Sequence, residues 1–108
     1  ATEGIINKDN IAKMKDGAVL INTARGAVVD NDALLEALES GKLAGAGLDV
    51  YPEEPRIPGE LLAMDNVVCT PHVGANTAQT RADMASACAR QILDALAGKR
   101  PENIVNDI

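Results

Sequence analysis

The sequence predicts an α/β fold: a parallel sheet of about three strands with helices on both faces, closing with a long helix. Three observations lead there. Apolar runs of strand length alternate with segments of helical period, the signature of crossover connections and a parallel sheet. Ala18-Val19-Leu20-Ile21 is continuously apolar, as a strand covered on both faces requires. The interior must be aliphatic, because the 108 residues include one Tyr (Tyr51) and no Phe or Trp. Small aliphatic side chains suit close helix-on-sheet packing.

The elements follow in order. Asn7 can cap a helix from Lys8 to about Lys15, with Ile11 and Met14 on one face and Gly17 as terminator. After the first strand, Asp30 caps a second helix whose stripe is Leu34, Leu35 and Leu38 and whose end is Gly41. Leu43 to Val50 reads as the second strand, rich in Gly and Ala where another surface approaches closely. Residues 51–64 hold Pro52, Pro55 and Pro58 and form a loop, with one helical turn around Leu61 and Leu62. Val67-Val68-Cys69-Thr70 is the third strand, ended by Pro71. A long helix runs from a Thr77 cap to about Leu96, with Gly98 as stop. Its four-residue repeat of Met84, Cys88, Ile92 and Leu96 reads as a core stripe. The polar tail from Lys99 to Ile108 is expected to be extended. Three strands leave two open sheet edges, and the opening Ala1-Thr2-Glu3-Gly4-Ile5-Ile6 lacks a cap or turn signal. The chain therefore reads as the second half of a larger sheet.

Composition narrows the function. A net charge of −6 argues against nucleic acid, since nothing here could neutralise a run of phosphates. No apolar run reaches the ~20 residues that span a bilayer. Cys69 and Cys88 lack framework spacing, so reduced thiols and a cytoplasmic setting are expected.

Chemistry concentrates in three stretches, each directly after a strand: Asn22-Thr23-Ala24-Arg25-Gly26, Asp49-Val50-Tyr51-Pro52-Glu53-Glu54-Pro55 and Thr70-Pro71-His72-Val73-Gly74. They hold an Arg, a Glu and the only His. An Arg clamps carboxylates, a His moves protons near neutral pH, and a Glu orients and charges that His. Strand ends of a parallel sheet are where such sites are built. Taken singly, each residue has a plainer reading: a structural His after Pro, a surface Arg, a solvated Glu, an Asp49 capping a turn. Cys69 with His72 supplies two metal-ligand types, too few for a site. Gly45-Ala46-Gly47-Leu48-Asp49-Val50 lies within a strand and lacks a third glycine, so it is not a phosphate loop.

In order and spacing, these stretches resemble the D-isomer-specific 2-hydroxyacid dehydrogenases. Gly4-Ile5-Ile6-Asn7, Met14-Lys15-Asp16-Gly17, Asn22 to Asp30, Leu34 through Leu38, Gly45 to Pro55 and Asn66 to Gly74 carry the likeness. The resemblance implies the second half of a Rossmann-type NAD(P)-binding domain over residues 1–98, with 99–108 leading toward a substrate domain. It implies hydride transfer between a nicotinamide (NAD or NADP) and a small 2-oxo or D-2-hydroxy acid, in a homodimer. It places Arg25, Glu54 and His72 in catalysis; the Glu before Pro is the matching one, so Glu54 and not Glu53. It places Asp49 at the nicotinamide carboxamide, with Thr23, Ala24 and Gly74 beside the ring. The tail Arg100-Pro101-Glu102-Asn103-Ile104-Val105-Asn106 leans toward the glyoxylate/hydroxypyruvate-type members. Without a glycine loop for the pyrophosphate, the isolated chain is expected to be inactive. The rival expectation is a non-catalytic, truncated fragment that self-associates through its open sheet edge.

Overall fold

A computed structural model describes residues 2–106, which form two units divided after Gly74. The first unit begins with α1 (Lys8–Ala12), held by a reciprocal capping box. The Asn7 side chain accepts from the amides of Asp9 and Asn10, while Asn10 Oδ1 accepts from the Asn7 amide at 2.7 Å. The helix is shorter than the expected run to Lys15. Gly17 donates to Lys42 O at 2.9 Å and Ala18 to Lys15 O at 3.1 Å, so the chain must leave the helix early to enter the sheet. Gly17 itself makes that turn at φ +77°, a conformation costly for any residue with a Cβ.

Three parallel strands follow: β1 (Ala18–Asn22), β2 (Leu43–Leu48) and β3 (Val67–Cys69), in the order β1-β2-β3. Between β1 and β2 lies α2 (Asn31–Glu39), whose Asp30 cap accepts from the amides of Asp32 and Ala33. The expected turn before β3 is α3 (Gly59–Leu62). A 3₁₀ turn at Gly26–Val28 was not legible from periodicity.

All three helices contribute to one aliphatic core. Ile11, Leu34, Leu38, Leu43 and Leu61 are buried together with Leu20, Ala46, Leu48 and Tyr51. Gly45 and Gly47 serve packing in β2: a Cβ would lie 2.6 Å from Asn66 O at Gly45 and 2.8 Å from Ile21 Cδ1 at Gly47. Within this unit the core lies on one face of the sheet. Val19, Ile21 and Val68 point the other way and are exposed. Successive crossovers of one hand, advancing in one direction across the sheet, stack their helices on the same side.

The second unit contains α4 (Ala78–Leu96), capped by Thr77 Oγ1 on the Thr80 amide at 3.1 Å and followed by Gly98 at φ +73°. The expected core stripe is not buried: Met84 and Ile92 are each 60% exposed, and Cys88 is exposed. An apolar stripe needs a facing element, and residues 75–106 contain no second helix or strand. The tail carries no helix or strand through residue 106, and its last two positions lie outside the described residues.

Leu43, fully buried at the start of β2, tests the core. Leu43→Ala is expected to lower unfolding free energy by about 2–5 kcal/mol, read from urea denaturation followed by circular dichroism. A loss below about 1 kcal/mol would show that this strand start is not packed as described.

Candidate active site

The site is assembled where β1, β2 and β3 end. At the end of β1, buried Asn22 folds the chain back on itself. Its Oδ1 accepts from the Ala24 amide at 3.1 Å and its Nδ2 donates to Arg25 O at 3.0 Å. Its own carbonyl accepts from the Asp49 amide at 3.0 Å, joining the first two strand ends. Thr23, Ala24 and Arg25 are thereby exposed on a turned loop, with Arg25 Nη1 donating to Ala24 O at 2.6 Å. Gly26 follows because nothing larger fits: an added Cβ would sit 2.0 Å from the Tyr51 carbonyl oxygen.

Asp49, directly after β2, is buried at 6% exposure and carries three donors. Oδ1 accepts from Thr70 Oγ1 at 2.6 Å and from the Val73 amide at 2.9 Å, and Oδ2 accepts from the Gly74 amide at 2.9 Å. These bonds hold its carboxyl below the usual carboxylate range, the Thr70 hydroxyl most strongly, with the Val73 and Gly74 amides and the His72 charge adding to it. Oδ2 keeps acceptor capacity for one further donor. At Gly74 an added Cβ would approach Oδ2 to 3.1 Å, so a small residue keeps that oxygen accessible.

His72 sits inside the loop that Asp49 grips, at φ +55°, the only non-glycine positive φ among the described residues. Its Nδ1 lies 2.5 Å from Glu54 Oε2, while Glu54 Oε1 accepts from the Tyr51 amide at 3.2 Å. The Glu54 carboxyl is lowered by His72 first, then by the Tyr51 amide, with a smaller contribution from the Arg25 charge. An ionised carboxylate only accepts, so Nδ1 carries a proton and Nε2 is the nitrogen left for a ligand. Glu53 points elsewhere, its nearest cation being Arg56 at 3.9 Å.

A cleft of about 310 Å³ is lined by Tyr51, Glu54, Pro55, Pro71 and His72. A groove of about 200 Å³ between α1 and α2 is unrelated to these residues; its Lys8 is already paired with Glu36 at 2.7 Å. The structure thus gathers His72, Glu54, Asp49 and Gly74 closely and puts the Arg25 loop beside them. Asn22, Thr70 and Tyr51, which hold those groups, were not singled out by sequence. A polar or aromatic residue at a strand end was the only available signal.

A match to the family model for the D-isomer specific 2-hydroxyacid dehydrogenase NAD binding domain spans residues 1–74. The chain belongs to this family. It is 49% identical over 106 residues to glyoxylate/hydroxypyruvate reductase B of Pectobacterium carotovorum subsp. carotovorum, covering 97% of this chain and 33% of that protein. D-lactate dehydrogenase of Lactobacillus jensenii, solved with NAD+, superposes with a TM-score of 0.82 at 36% identity, covering 98% of this chain and 36% of that one. A D-isomer specific 2-hydroxyacid dehydrogenase from Xanthobacter autotrophicus Py2, in complex with NADPH and MES, gives a TM-score of 0.78 at 40% identity, over 97% of this chain and 43% of that one. The chain thus spans about a third of the reductase's length. Among the described residues, no helix is long and apolar enough to cross a membrane.

The Asp49 linkage has a defined pH signature. Its folded-state pKa lies below the unfolded value, so its stabilisation is fully present above about pH 5 and fades as pH falls past ~3.9 and through the depressed value. Asp49→Asn is expected to lower the urea midpoint at neutral pH, because its amide presents donors to donors, and the gap to the native chain should narrow in acid. A gap that stays constant down to about pH 3 would disprove the linkage.

Proposed function

We propose that this chain supplies the proton-transfer and carboxylate-binding part of an NAD(P)-dependent D-2-hydroxyacid dehydrogenase. Residues 1–98 are the later half of its nucleotide-binding domain, and 99–108 lead toward a substrate domain. The observation that carries this reading is the Nδ1–Oε2 pair of His72 and Glu54 at 2.5 Å. Glu54 fixes the tautomer, so Nε2 of the imidazolium gives its proton to the carbonyl oxygen of a 2-oxo acid as C2 becomes a carbinol. The reverse direction returns that proton to Nε2. Arg25, on its exposed loop, holds the substrate carboxylate and the developing alkoxide with its planar fork.

The residues present fit the nicotinamide end of the cofactor. Asp49 Oδ2 retains an accepting position for a carboxamide N–H, and Thr23, Ala24 and Gly74 offer small, exposed positions around it. When bound, the nicotinamide supplies the hydride that C2 accepts. NAD or NADP serves, as in the two cofactor-bound relatives. The substrate is a small 2-oxo acid of the glyoxylate or hydroxypyruvate kind, in line with the name of the Pectobacterium relative. Two free thiols, Cys69 and Cys88, suit a reducing cytoplasm, and the working form is a homodimer.

A second reading has its own support. The open edges at β1 and β3, with Val19, Ile21 and Val68 exposed, suit a non-catalytic module that self-associates. Light scattering combined with NADH titration separates the two. Since the enzymatic reading is itself dimeric, self-association favours the module only together with no NADH response and no activity in the chimera described below.

Two measurements test the enzymatic reading. The chain alone, given NADH or NADPH with glyoxylate, is expected to show no reduced-cofactor oxidation; turnover would disprove the claim that it is inactive in isolation. Residues 2–106, exchanged for the matching third of the Pectobacterium reductase, should sustain glyoxylate reduction. In that chimera His72→Gln should cut kcat by about 10²–10⁴. An undiminished kcat would remove His72 from proton transfer.

A further inference from the structure

We propose that Tyr51 is the positioning residue that sets Arg25, Glu54 and His72 in register with one another. The proposal rests on the reading of His72 and Glu54 as the proton-handling pair. Tyr51 is the only aromatic residue of the chain, and its side chain is almost fully buried. It touches all three site segments through different atoms. Its carbonyl lies against Gly26, the residue after Arg25, so closely that a Cβ at 26 could not be accommodated. Its amide donates to Glu54 Oε1 at 3.2 Å, turning the other carboxylate oxygen toward His72. Its hydroxyl lies 2.7 Å from Thr70 O and 2.8 Å from Leu48 O, between the ends of β3 and β2.

The hydroxyl contacts bear directly on His72. Thr70 O also accepts from the His72 amide at 3.1 Å, so the phenol and the histidine backbone share one acceptor. Leu48 O likewise accepts from the Thr70 amide at 2.9 Å. A phenol has a single proton, which can bond either carbonyl; each carbonyl keeps its own amide donor when the proton is on the other. The hydroxyl is therefore not needed to satisfy buried groups. Its effect is to hold the Thr70 carbonyl, and with it the His72 loop, at a fixed distance from the residue that orients Glu54. Burial, with Cys69 beside it, pushes the phenol up to about 12, so the proton stays in place throughout the neutral range. A tyrosine present only to fill the core would use its ring, and Phe would replace it without effect on the pair.

The single histidine makes the test direct. Nitrogen-edited proton NMR of the 108-residue chain should show a downfield Nδ1 proton that disappears in Glu54→Gln. In Tyr51→Phe, melting should fall by about 4–8 °C with the fold retained. The downfield resonance should broaden or vanish, and the Glu54 titration midpoint should rise toward the ordinary carboxylate range. Leu43→Ala, a core change at the opposite end of β2 from the site, should leave both signals in place. As a second arm, fluorotyrosine incorporated at this sole tyrosine keeps ring and hydroxyl but makes a stronger donor, and should shift the imidazole resonance. Native resonance and midpoint in a folded Tyr51→Phe, or an unmoved resonance on fluorination should Phe not fold, would overturn the proposal alone. Absence of any Glu54-dependent resonance in the native chain would overturn the pairing itself, and the proposal with it.

Discussion

The buried carboxylate of Asp49 is the constraint on which the site geometry depends. It stands at the end of the central strand and takes donors from Thr70, Val73 and Gly74, three residues of the loop after the neighbouring strand. A carboxylate buried at 6% exposure is tolerable only if its oxygens are bonded, and this one is bonded entirely by groups flanking His72. The loop therefore has little choice of path. His72 adopts φ +55°, a conformation rare outside glycine though less so for His, because the amides on one side and the Thr70 hydroxyl on the other are already committed. Such a backbone persists where its surroundings over-determine it, and here they do.

Most of the fold was legible because its signals are local. The Asn7, Asp30 and Thr77 caps, the glycine stops at 41 and 98, and the strand-length apolar run of β1 each state their role within a few residues. What failed depended on partners distant in sequence. The end of α1 is set by a bond from Gly17 to Lys42, which no window around Lys13 can reveal. The Met84–Ile92 stripe has helical periodicity, but periodicity states that a face is apolar, not that anything covers it.

The site divides along the same line. His72, Arg25 and Glu54 stand out in the sequence because their chemistry is unusual for loops and their spacing matches a family, and the choice of Glu54 over Glu53 agrees with the pairing to His72. Asn22 and Thr70 were not found, because their work is done on backbone groups brought together only by parallel pairing. Asp49 was expected to meet a ligand, and its main bonds are internal. The two roles are compatible, since an oxygen already fixed by a backbone amide is a better-oriented acceptor for one more donor.

This pattern explains how a chain spanning about a third of the Pectobacterium relative's length can hold the His72–Glu54 pair in order. The positioning bonds run largely to main-chain amides and carbonyls at strand ends, so they form when three strands pair and need no distant domain. What the unit does not provide is low dielectric. The side chains of His72 and Glu54 are 45% and 32% exposed, and in water such a pair is well screened. Covering them would strengthen their attraction several-fold, as the effective dielectric falls from ~80 toward ~20, without any change in distance. Geometry and strength are thus separable in this site: the sheet ends supply the first, and exclusion of solvent must supply the second.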